Sequence, residues 1–394
     1  MKRILIISAA ILVSALIILG YFWFFNKAMF SFNFNSVPDL SNVPETPAVS
    51  AVPPESEHFG FLRNVFDLDQ ERIEDTGAAW LRPNFGYFVW GEMQADASSA
   101  IDFSQTDQVV AAAQKHGLHL EITLFPFADW DQQNAPHAAA CRVAANDEML
   151  PREKEGIKIP GLPYYRCNPQ NWSAYEKWLA AVVARYDFDG DDDMPGLQYP
   201  VRYYEIGNEP ELTRGAKDDF GTVFYLDTPE NYADLLRHSY SAIKSADTKA
   251  QVLIAGAAGI QPEFQKFWQR VFAVPGVADY FDIANVHCIS APNAGGNDPI
   301  TLAANDLNVA AYQKLLAGFG ITKLIWVTEA ENIQGNNVEE NAERLDTSVA
   351  NAIKDGADKI FFTGSSLAND PMKYTSEILL KEKKYYQNII QKYQ

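Results

Sequence analysis

Arg202-Tyr-Tyr-Glu-Ile-Gly-Asn-Glu-Pro-Glu-Leu212 is the stretch that decides the fold, because it is typical of a β-strand that runs into a polar turn. Alternate side chains of a strand share a face, so Glu205, Gly207 and Glu209 are predicted to point the same way. Glu209 is the last acid of this row, and Pro210 cannot continue a ladder of hydrogen bonds. A carboxylate at the carboxyl end of a strand stands where a parallel barrel carries its reactive groups.

A second acid ends another strand-like run, Lys323-Leu-Ile-Trp-Val-Thr-Glu329. Here the alternation predicts that Ile325, Val327 and Glu329 form one row, with the acid again in the last position. The carboxyl ends of parallel strands meet at one rim of a closed barrel. The two runs therefore predict that Glu209 and Glu329 face each other across that rim.

An apolar strand-like run alternates eight times with an amphipathic run of helical period. The predicted strands are 58–64, 79–84, 118–125, 201–209, 251–257, 281–288, 323–329 and 359–363. The predicted helices are 69–76, 104–116, 171–186, 229–245, 262–274, 304–319, 339–355 and 375–392. Such an α/β pattern implies parallel strands and right-handed crossovers, and eight units close a (β/α)8 or TIM barrel. A doubly wound open sheet is the structural competitor, but no nucleotide-binding glycine motif follows any of these strands.

The chain begins with an apolar segment that is free of charge from residue 4 to residue 25, behind Lys2 and Arg3. Its length matches the roughly 30 Å hydrocarbon layer, so residues 1–27 are predicted to form an uncleaved transmembrane anchor. A cleaved signal peptide and a buried helix are the alternatives. The leading positive charges predict a cytoplasmic amino terminus and an extracytoplasmic bulk of the protein. Residues 28–57, rich in Pro, Ser and Asn, are predicted to be a linker, and residues 58–394 the barrel domain.

The composition limits the classes of molecule that the protein is expected to bind. The formal net charge is −19 at pH 7, which argues against nucleic acid as a partner, since nucleic-acid contacts depend on Lys and Arg.

Cys141 and Cys167 fall in one long loop, where a disulfide and two unpaired thiols are both compatible with the spacing. The acidic run at residues 187–193 fits a solvated loop or a calcium site, although its glycine is misplaced for the common calcium loop.

Two acids at facing strand ends are the residues that glycosidic bond cleavage requires, without a metal or a cofactor. The segments Glu205-Ile-Gly-Asn-Glu-Pro210 and Trp326-Val-Thr-Glu329 resemble the signatures of retaining glycoside hydrolases of clan A, most of all families 39 and 5. The resemblance extends from about residue 58 to the carboxyl terminus. It implies that Glu209 is the general acid/base and Glu329 the nucleophile, acting on a β-linked carbohydrate.

The same resemblance implies further substrate-binding residues. Asn208 would hydrogen-bond the 2-hydroxyl of the sugar, and Arg82 would stand beside Glu329 and keep it ionised. His287 matches a clan histidine near the sugar, with a satisfied core histidine as the alternative. Trp130 is a weaker candidate for a stacking platform, because a structural role is about as well supported.

Several positions depart from the clan pattern. Asn208 and Glu209 are neighbours, so a bulge or turn must rotate Asn208 into the site. The clan tyrosine two residues after the strand-six histidine is replaced by Ile289, and the strand-eight tryptophan is replaced by Phe361, Phe362 and Thr363.

Three functions follow from these observations. The leading hypothesis is a membrane-tethered, outward-facing retaining glycosidase. The second is a carbohydrate-binding or polysaccharide-assembly protein that kept the barrel and lost catalytic competence. Metal-dependent hydrolysis is the third and is poorly supported, because the chain has only six His and no strand-end His pair.

Overall fold

The structure is a computed structural model that describes residues 52–147, 149–154, 157–212, 223–288, 305–330, 338–363 and 376–394. Its strands are β1 (Phe59–Arg63), β2 (Trp80–Pro83), β3 (His119–Leu124), β4 (Arg152–Lys154), β5 (Ile157–Ile159), β6 (Tyr203–Ile206), β7 (Gln251–Ile254), β8 (Ile283–Cys288), β9 (Leu324–Ala330) and β10 (Ala357–Phe362). Eight of them form a closed barrel in the order β1-β10-β9-β8-β7-β6-β3-β2, and all neighbours in it pair in parallel. The predicted closed barrel of eight parallel strands is confirmed.

The α-helices are α1 (Leu68–Glu71), α2 (Trp90–Met93), α3 (Ser104–Lys115), α4 (Asp129–Gln132), α5 (Ala138–Cys141), α6 (Trp172–Tyr186), α7 (Pro229–Ala246), α8 (Pro262–Phe272), α9 (Val309–Ala317), α10 (Val338–Lys354) and α11 (Ser376–Tyr393). Helix α7 begins where the Thr228 side chain accepts a hydrogen bond from the Asn231 amide, with Pro229 in the first turn. The helix predicted for residues 69–76 is wrong as one element. Arg72 has a left-handed backbone (φ 49°), which separates α1 from the 3-10 helix Ile73–Thr76.

Strand β9 contains one more residue than its partner at the level of the barrel rim. Asn285 of β8 pairs with Trp326, whereas His287 pairs with Glu329, so two steps along β8 correspond to three along β9. Ile325 and Val327 belong to the core between barrel and helices, while Trp326 packs inside the barrel. The predicted row of Ile325, Val327 and Glu329 is therefore wrong. The irregularity, and not simple alternation, turns Glu329 towards the site.

The inward-facing side chains change from aromatic at the amino end of the barrel to charged at its middle. The amino end is filled by an edge-to-face and stacked cluster of Trp80, Tyr203, Trp326 and Phe361. Two residues further along three of these strands stand Arg82, Glu205 and Thr328. An apolar floor thus supports a buried polar layer directly beneath the rim at the carboxyl ends.

The segment before β1 covers part of the amino end of the barrel. The Pro53 carbonyl lies 2.7 Å from His119 Nε2, and the Glu57 carbonyl accepts hydrogen bonds from Trp80 Nε1 and Lys359 Nζ. Residues 53–57, which the sequence assigned to the linker, thus already contact the barrel. The predicted anchor, residues 1–27, and residues 28–51 lie outside the described residues. In the part of the chain that is described, no helix is long and apolar enough to cross a membrane.

The long connection between β3 and β6 has structure of its own. It carries α4, α5 and the antiparallel hairpin of β4 and β5, none of which the sequence predicted. Cys141 and Cys167 form a disulfide in it, which decides the alternative that the spacing left open. The acidic run precedes β6, and its Asp187, Asp189 and Asp193 bring carboxylate atoms within 4.8 Å of one another. Calcium binding there stays a prediction.

Candidate active site

Two left-handed residues turn the chain at the carboxyl end of β6. Gly207 has φ 77° and Glu209 has φ 39°, so the strand ends at Ile206 and not at Glu209. The Glu209 amide donates to the Gly256 carbonyl at 3.1 Å, which ties the turn to the segment after β7. The turn that Asn208 requires is therefore present, and Asn208 Oδ1 accepts a hydrogen bond from Arg82 Nη2 at 2.8 Å.

The structure brings Glu209, His287 and Glu329 together at the rim. One side-chain atom from each lies within 4.8 Å of the corresponding atoms of the other two. Glu209 is 1% exposed and Glu329 is 5% exposed, so both carboxyl groups are nearly removed from water. The predicted meeting of the two acids is what the barrel geometry produces.

Arg82 links the rim to the buried layer beneath it. Its Nη1 donates to Glu329 Oε1 at 2.6 Å, and its Nε and Nη2 donate to Glu205 Oε2 at 3.0 and 2.7 Å. Its Nε also lies 3.0 Å from Glu121 Oε2, although this contact lacks hydrogen-bond geometry. One fully buried guanidinium therefore faces three carboxyl groups.

These contacts set the protonation states of the site. Burial lowers the pKa of Arg82, but Glu205, Glu121 and Glu329 together raise it above its ordinary value, so the guanidinium stays charged. Burial raises the pKa of Glu329, while the charge and hydrogen bond of Arg82 lower it, and the net direction is upward. Arg82 therefore favours ionised Glu329, as expected, but burial outweighs this effect.

His287 lies between the two acids, with a hydrogen-bond partner at each ring nitrogen. Its Nδ1 is 2.8 Å from Glu209 Oε1 and 3.7 Å from Glu329 Oε1, and its Nε2 is 2.9 Å from Thr328 Oγ1. Burial, together with the charge of Arg82, lowers the pKa of His287 well below its usual range. The ring lies directly over Gly256, where an added Cβ would stand 2.0 Å from Nε2. The ring thus contacts both acids, while its full burial and its two partners also fit the alternative of a satisfied core histidine.

The remaining positions that the sequence singled out lie in different surroundings. Trp130 packs edge-to-face on Trp90 at 4.8 Å and donates to the Gln94 carbonyl, so its contacts in the described part of the chain are structural. Ile289 lies outside the described residues. At the end of β10, Phe361 belongs to the barrel floor, and Thr363 contacts the Ala330 carbonyl.

Sequence reasoning missed the layer that supports the site. Glu205 was placed only in the row of Glu209, and it lies inside the barrel as the main partner of Arg82. Glu121, Asn285 and Thr328 were not singled out, yet all three face the same interior. Alternation along β3 and β8 was the available signal, because it assigns Glu121 to the interior row of Thr123, and Asn285 to that of His287.

We assign no metal to this cluster. Arg82 already donates to Glu329, and a cation bound between the two acids would be repelled by the guanidinium at short range. No phosphate-binding glycine loop follows the described strands either. The residues of this cluster suit two acids that donate and accept protons without a metal ion.

No family model and no curated protein matches the chain. Solved structures do match it. A glucosidase from Croceicoccus marinus superposes with a TM-score of 0.53 at 14% identity, over 85% of this chain and 67% of that one. A family 39 β-xylosidase from Caulobacter crescentus gives 0.53 at 13% identity, over 87% and 72%. A hyperthermostable endo-1,4-β-D-mannanase from Thermotoga petrophila gives 0.50 at 12% identity, over 86% and 100%.

At such identities the likeness establishes a shared fold. The chain has the α/β barrel on which these glycoside hydrolases are built, and fold alone does not determine chemistry. Chemistry depends on the side chains at the rim.

Proposed function

We propose that the protein is a retaining glycoside hydrolase that cleaves a β-linked oligo- or polysaccharide, with Glu209 as acid/base and Glu329 as nucleophile. One observation carries the proposal: carboxyl oxygens of Glu209 and Glu329 approach within 4.8 Å at the barrel rim. Retaining enzymes hold their two carboxyl groups about 5–5.5 Å apart, whereas inverting enzymes leave about 6.5–9.5 Å for a water molecule. The close approach favours double displacement.

In the first step Glu329 attacks the anomeric carbon while Glu209 gives its proton to the departing glycosidic oxygen. The C–O bond to the leaving group breaks, and an ester bond between the sugar and Glu329 forms. Arg82 suits this role of Glu329, because it donates to Oε1 and thereby favours the carboxylate that attacks.

In the second step Glu209, now a carboxylate, removes a proton from water, and the water oxygen displaces Glu329 from the anomeric carbon. The configuration at that carbon is retained after two inversions. Asn208 supports both steps as a sugar ligand. Its Oδ1 is held by Arg82, whereas its Nδ2 has no hydrogen-bond partner among the described residues and is available to a sugar hydroxyl.

The substrate class rests on two lines of support. The fold is shared with a glucosidase, a β-xylosidase and an endo-1,4-β-mannanase, the last two of which are named for β-linked sugars. The resemblance of the segments around Glu209 and Glu329 to families 39 and 5 points the same way. We therefore propose a β-linked substrate of glucose-, xylose- or mannose-type units.

A location at a membrane is part of the proposal. The uncharged segment from residue 4 to residue 25 would anchor the protein, with the barrel on the extracytoplasmic side. Fractionation of cells that express the full chain tests this. The barrel should stay with the membranes through a high-salt wash and be open to protease added outside, and recovery in the soluble cytoplasmic fraction would contradict it.

The binding-protein alternative has one observation in its favour. The last residue of β10, Phe362, is buried against Phe59, Phe61 and Tyr386, and Thr363 follows it, so neither offers an aromatic ring to a sugar. A protein with this defect and no catalysis would bind a saccharide without cleaving it. Binding and turnover must therefore be measured on the same substrates.

The testing experiment is a screen of the full chain against β-glycans and aryl β-glycosides, with Glu209→Gln and Glu329→Gln in parallel. Each variant keeps the shape of the side chain, so melting temperatures should change little. Loss of the general acid is expected to lower kcat by about 10²–10⁴-fold, and less for leaving groups that need no proton. Loss of Glu329 should remove turnover for every leaving group. Full activity in either variant would overturn the assignment.

A further inference from the structure

A chain of hydrogen bonds connects the buried layer to the general acid. Asn285 Nδ2 donates to Glu205 Oε1 at 3.0 Å, and Asn285 Oδ1 lies 3.0 Å from Thr328 Oγ1. Thr328 Oγ1 is 2.9 Å from His287 Nε2, and His287 Nδ1 is 2.8 Å from Glu209 Oε1. Five side chains are thus joined in sequence, and each link needs one proton.

The first link fixes the orientation of Asn285. Besides Asn285, Glu205 accepts hydrogen bonds from Arg82, Thr123 and the Gly256 amide, which is the environment of an ionised carboxylate. Such a carboxylate requires the NH2 group of Asn285 and would repel its oxygen. The Thr328 amide, 3.4 Å from Asn285 Oδ1, agrees with this orientation.

The second link then has only one workable direction. Asn285 Oδ1 is an acceptor, so the hydroxyl proton of Thr328 must point to it. If the hydroxyl pointed to His287 instead, two oxygen atoms would face each other at 3.0 Å without a proton between them. Thr328 Oγ1 is therefore the acceptor for His287, and Nε2 of the imidazole carries the hydrogen.

The third link follows from the charge of the imidazole. A neutral histidine has one N–H, so with the proton on Nε2 the Nδ1 atom has a lone pair. Glu209 Oε1 faces that lone pair at 2.8 Å, which is a hydrogen bond only if Glu209 donates it. We propose that Asn285 and Thr328 are positioning residues that hold His287 in its Nε2–H form, so that Glu209 carries the proton in the resting enzyme.

The inference rests on the proposed function only where it names Glu209 as the general acid. It deepens that function, because it says how two glutamates so close together acquire different protonation states. Glu329 faces an N–H donor of Arg82, and Glu209 faces an acceptor of His287. When Glu209 has given its proton to the leaving oxygen, its carboxylate faces the Nδ1 lone pair, which strengthens it as the base for water.

Charged and titratable groups face His287 from several elements. Within the described residues they include Arg82 on β2, Glu209 in the turn after β6, Glu329 on β9, and Glu205 on β6, which is linked to the ring through Asn285 and Thr328. Carboxyl oxygens of Glu209 and Glu329 lie within 4 Å of Nδ1, and Gly256 on the β7 side contributes no charge. The positive charge of Arg82 disfavours an imidazolium, which agrees with the lowered pKa of His287.

The direct test uses the full chain labelled with 15N-histidine and needs no substrate. Long-range nitrogen–proton spectra distinguish Nε2–H from Nδ1–H, and His287→Asn assigns the His287 signals among the six histidines. We expect Nε2–H at pH 7 in the wild type. We expect Thr328→Val to move the proton to Nδ1, because the acceptor is lost, and Thr328→Ser to keep it on Nε2. An Nδ1–H or an imidazolium in the wild type overturns the inference, whatever the Thr328 variants show.

The kinetic test measures the pH dependence of kcat/KM, whose alkaline limb reports the general acid of the free enzyme. With the proton on Nδ1, Glu209 would face a donor, so Thr328→Val should move this limb about one unit lower. Thr328→Ser should keep the wild-type limb. Thr106→Val, another buried threonine, on α3, is the matched control and should leave the limb in place. An unmoved limb in a folded Thr328→Val contradicts the inference.

The two tests separate this inference from the proposed function. If the protein hydrolyses no glycoside but shows Nε2–H, the positioning stands and the reaction must be sought elsewhere. If it hydrolyses glycosides with His287 in the Nδ1–H form, the hydrolase proposal stands and the positioning role is wrong.

Discussion

Arg82 Nη1 donates to Glu329 Oε1 at 2.6 Å across the barrel, from a strand that is not adjacent to β9. The same guanidinium holds Glu205 and Asn208. A fork of fixed geometry thus sets the position of the proposed nucleophile, of the proposed sugar ligand and of the buried acid beneath them. The charged side chains of this layer are buried because they form hydrogen bonds with one another and not with solvent.

Arg82→Lys should raise the pH at which activity appears. A lysine keeps the positive charge but cannot reach three partners in the fixed directions of a guanidinium, so Glu329 loses a hydrogen bond that favours its ionised form. We expect the acidic limb of kcat/KM to move about one unit upward. The pH profile measures this, with Arg185→Lys, which pairs with Asp107 on the outside of the barrel, as the control. An unchanged acidic limb would contradict the role of Arg82.

Gly256→Ala should impair catalysis more than folding. Its Cβ would stand 2.0 Å from His287 Nε2 and 2.4 Å from Cδ2, so the ring must move away from Glu209. A displacement of about 1 Å at a reacting group lowers the rate about 10²-fold, which is the loss we expect in kcat/KM. Gly196→Ala is the control. Gly196 has φ 82° and open space around its Cβ position, so its replacement should affect stability alone.

Glu121→Gln should make stability less dependent on pH. Glu121 is fully buried, and its pKa is raised, first by burial and then by the charge of Glu205. In the unfolded chain a Glu ionises near pH 4.3, so the folded form loses stability as pH rises from there towards the raised folded pKa. Glutamine does not ionise, so the variant is not destabilised by this group as the pH rises.

Denaturant unfolding at pH 4 and pH 8 measures the effect of Glu121→Gln. We expect equal stability of variant and wild type at pH 4, and a variant more stable than the wild type at pH 8. A variant that is less stable than the wild type at pH 8 would mean that Glu121 is an ionised partner of Arg82.

Loss of the Cys141–Cys167 disulfide should destabilise the domain without removing the site. The disulfide closes a loop in the connection between β3 and β6, and its two cysteines are 26 residues apart in the sequence. In the loop-entropy model a ring of this length stabilises the folded state by about 3 kcal/mol. Unfolding of Cys141→Ser/Cys167→Ser measures the loss, and kcat/KM below the unfolding transition should stay near the wild-type value. Unchanged stability of the double variant would show that the connection is held by its other contacts.

The sequence predicted the barrel well because an apolar strand-like run followed by an amphipathic helical run is repeated eight times along the chain. Each predicted barrel strand overlaps an observed one, and the two acids at the ends of β6 and β9 meet as expected. Strand ends were less predictable. β6 stops at Ile206 because Gly207 and Glu209 are left-handed, a conformation that alternation does not foresee.

The failures have one physical origin, which is that alternation describes only regular strands. The extra residue in β9 reverses the predicted faces of Ile325 and Val327 while it still delivers Glu329 to the site. Trp130 could not be distinguished as a ligand or a packing residue, because its Trp90 and Gln94 contacts come from α2 and its flank, distant in sequence. The hydrogen-bond chain through Asn285 and Thr328 needs three strands in register and is visible only in three dimensions.

The most direct test of the account is covalent capture of the nucleophile. An activated fluorosugar of the preferred β-glycoside, incubated with the full chain, should form a stable ester, because the fluorine slows both steps while the activated leaving group restores only the first. Peptide mass spectrometry should find the sugar on Glu329, and Glu329→Gln should remain unlabelled. A label on Glu209, or hydrolysis with inverted configuration and no label, would contradict the account.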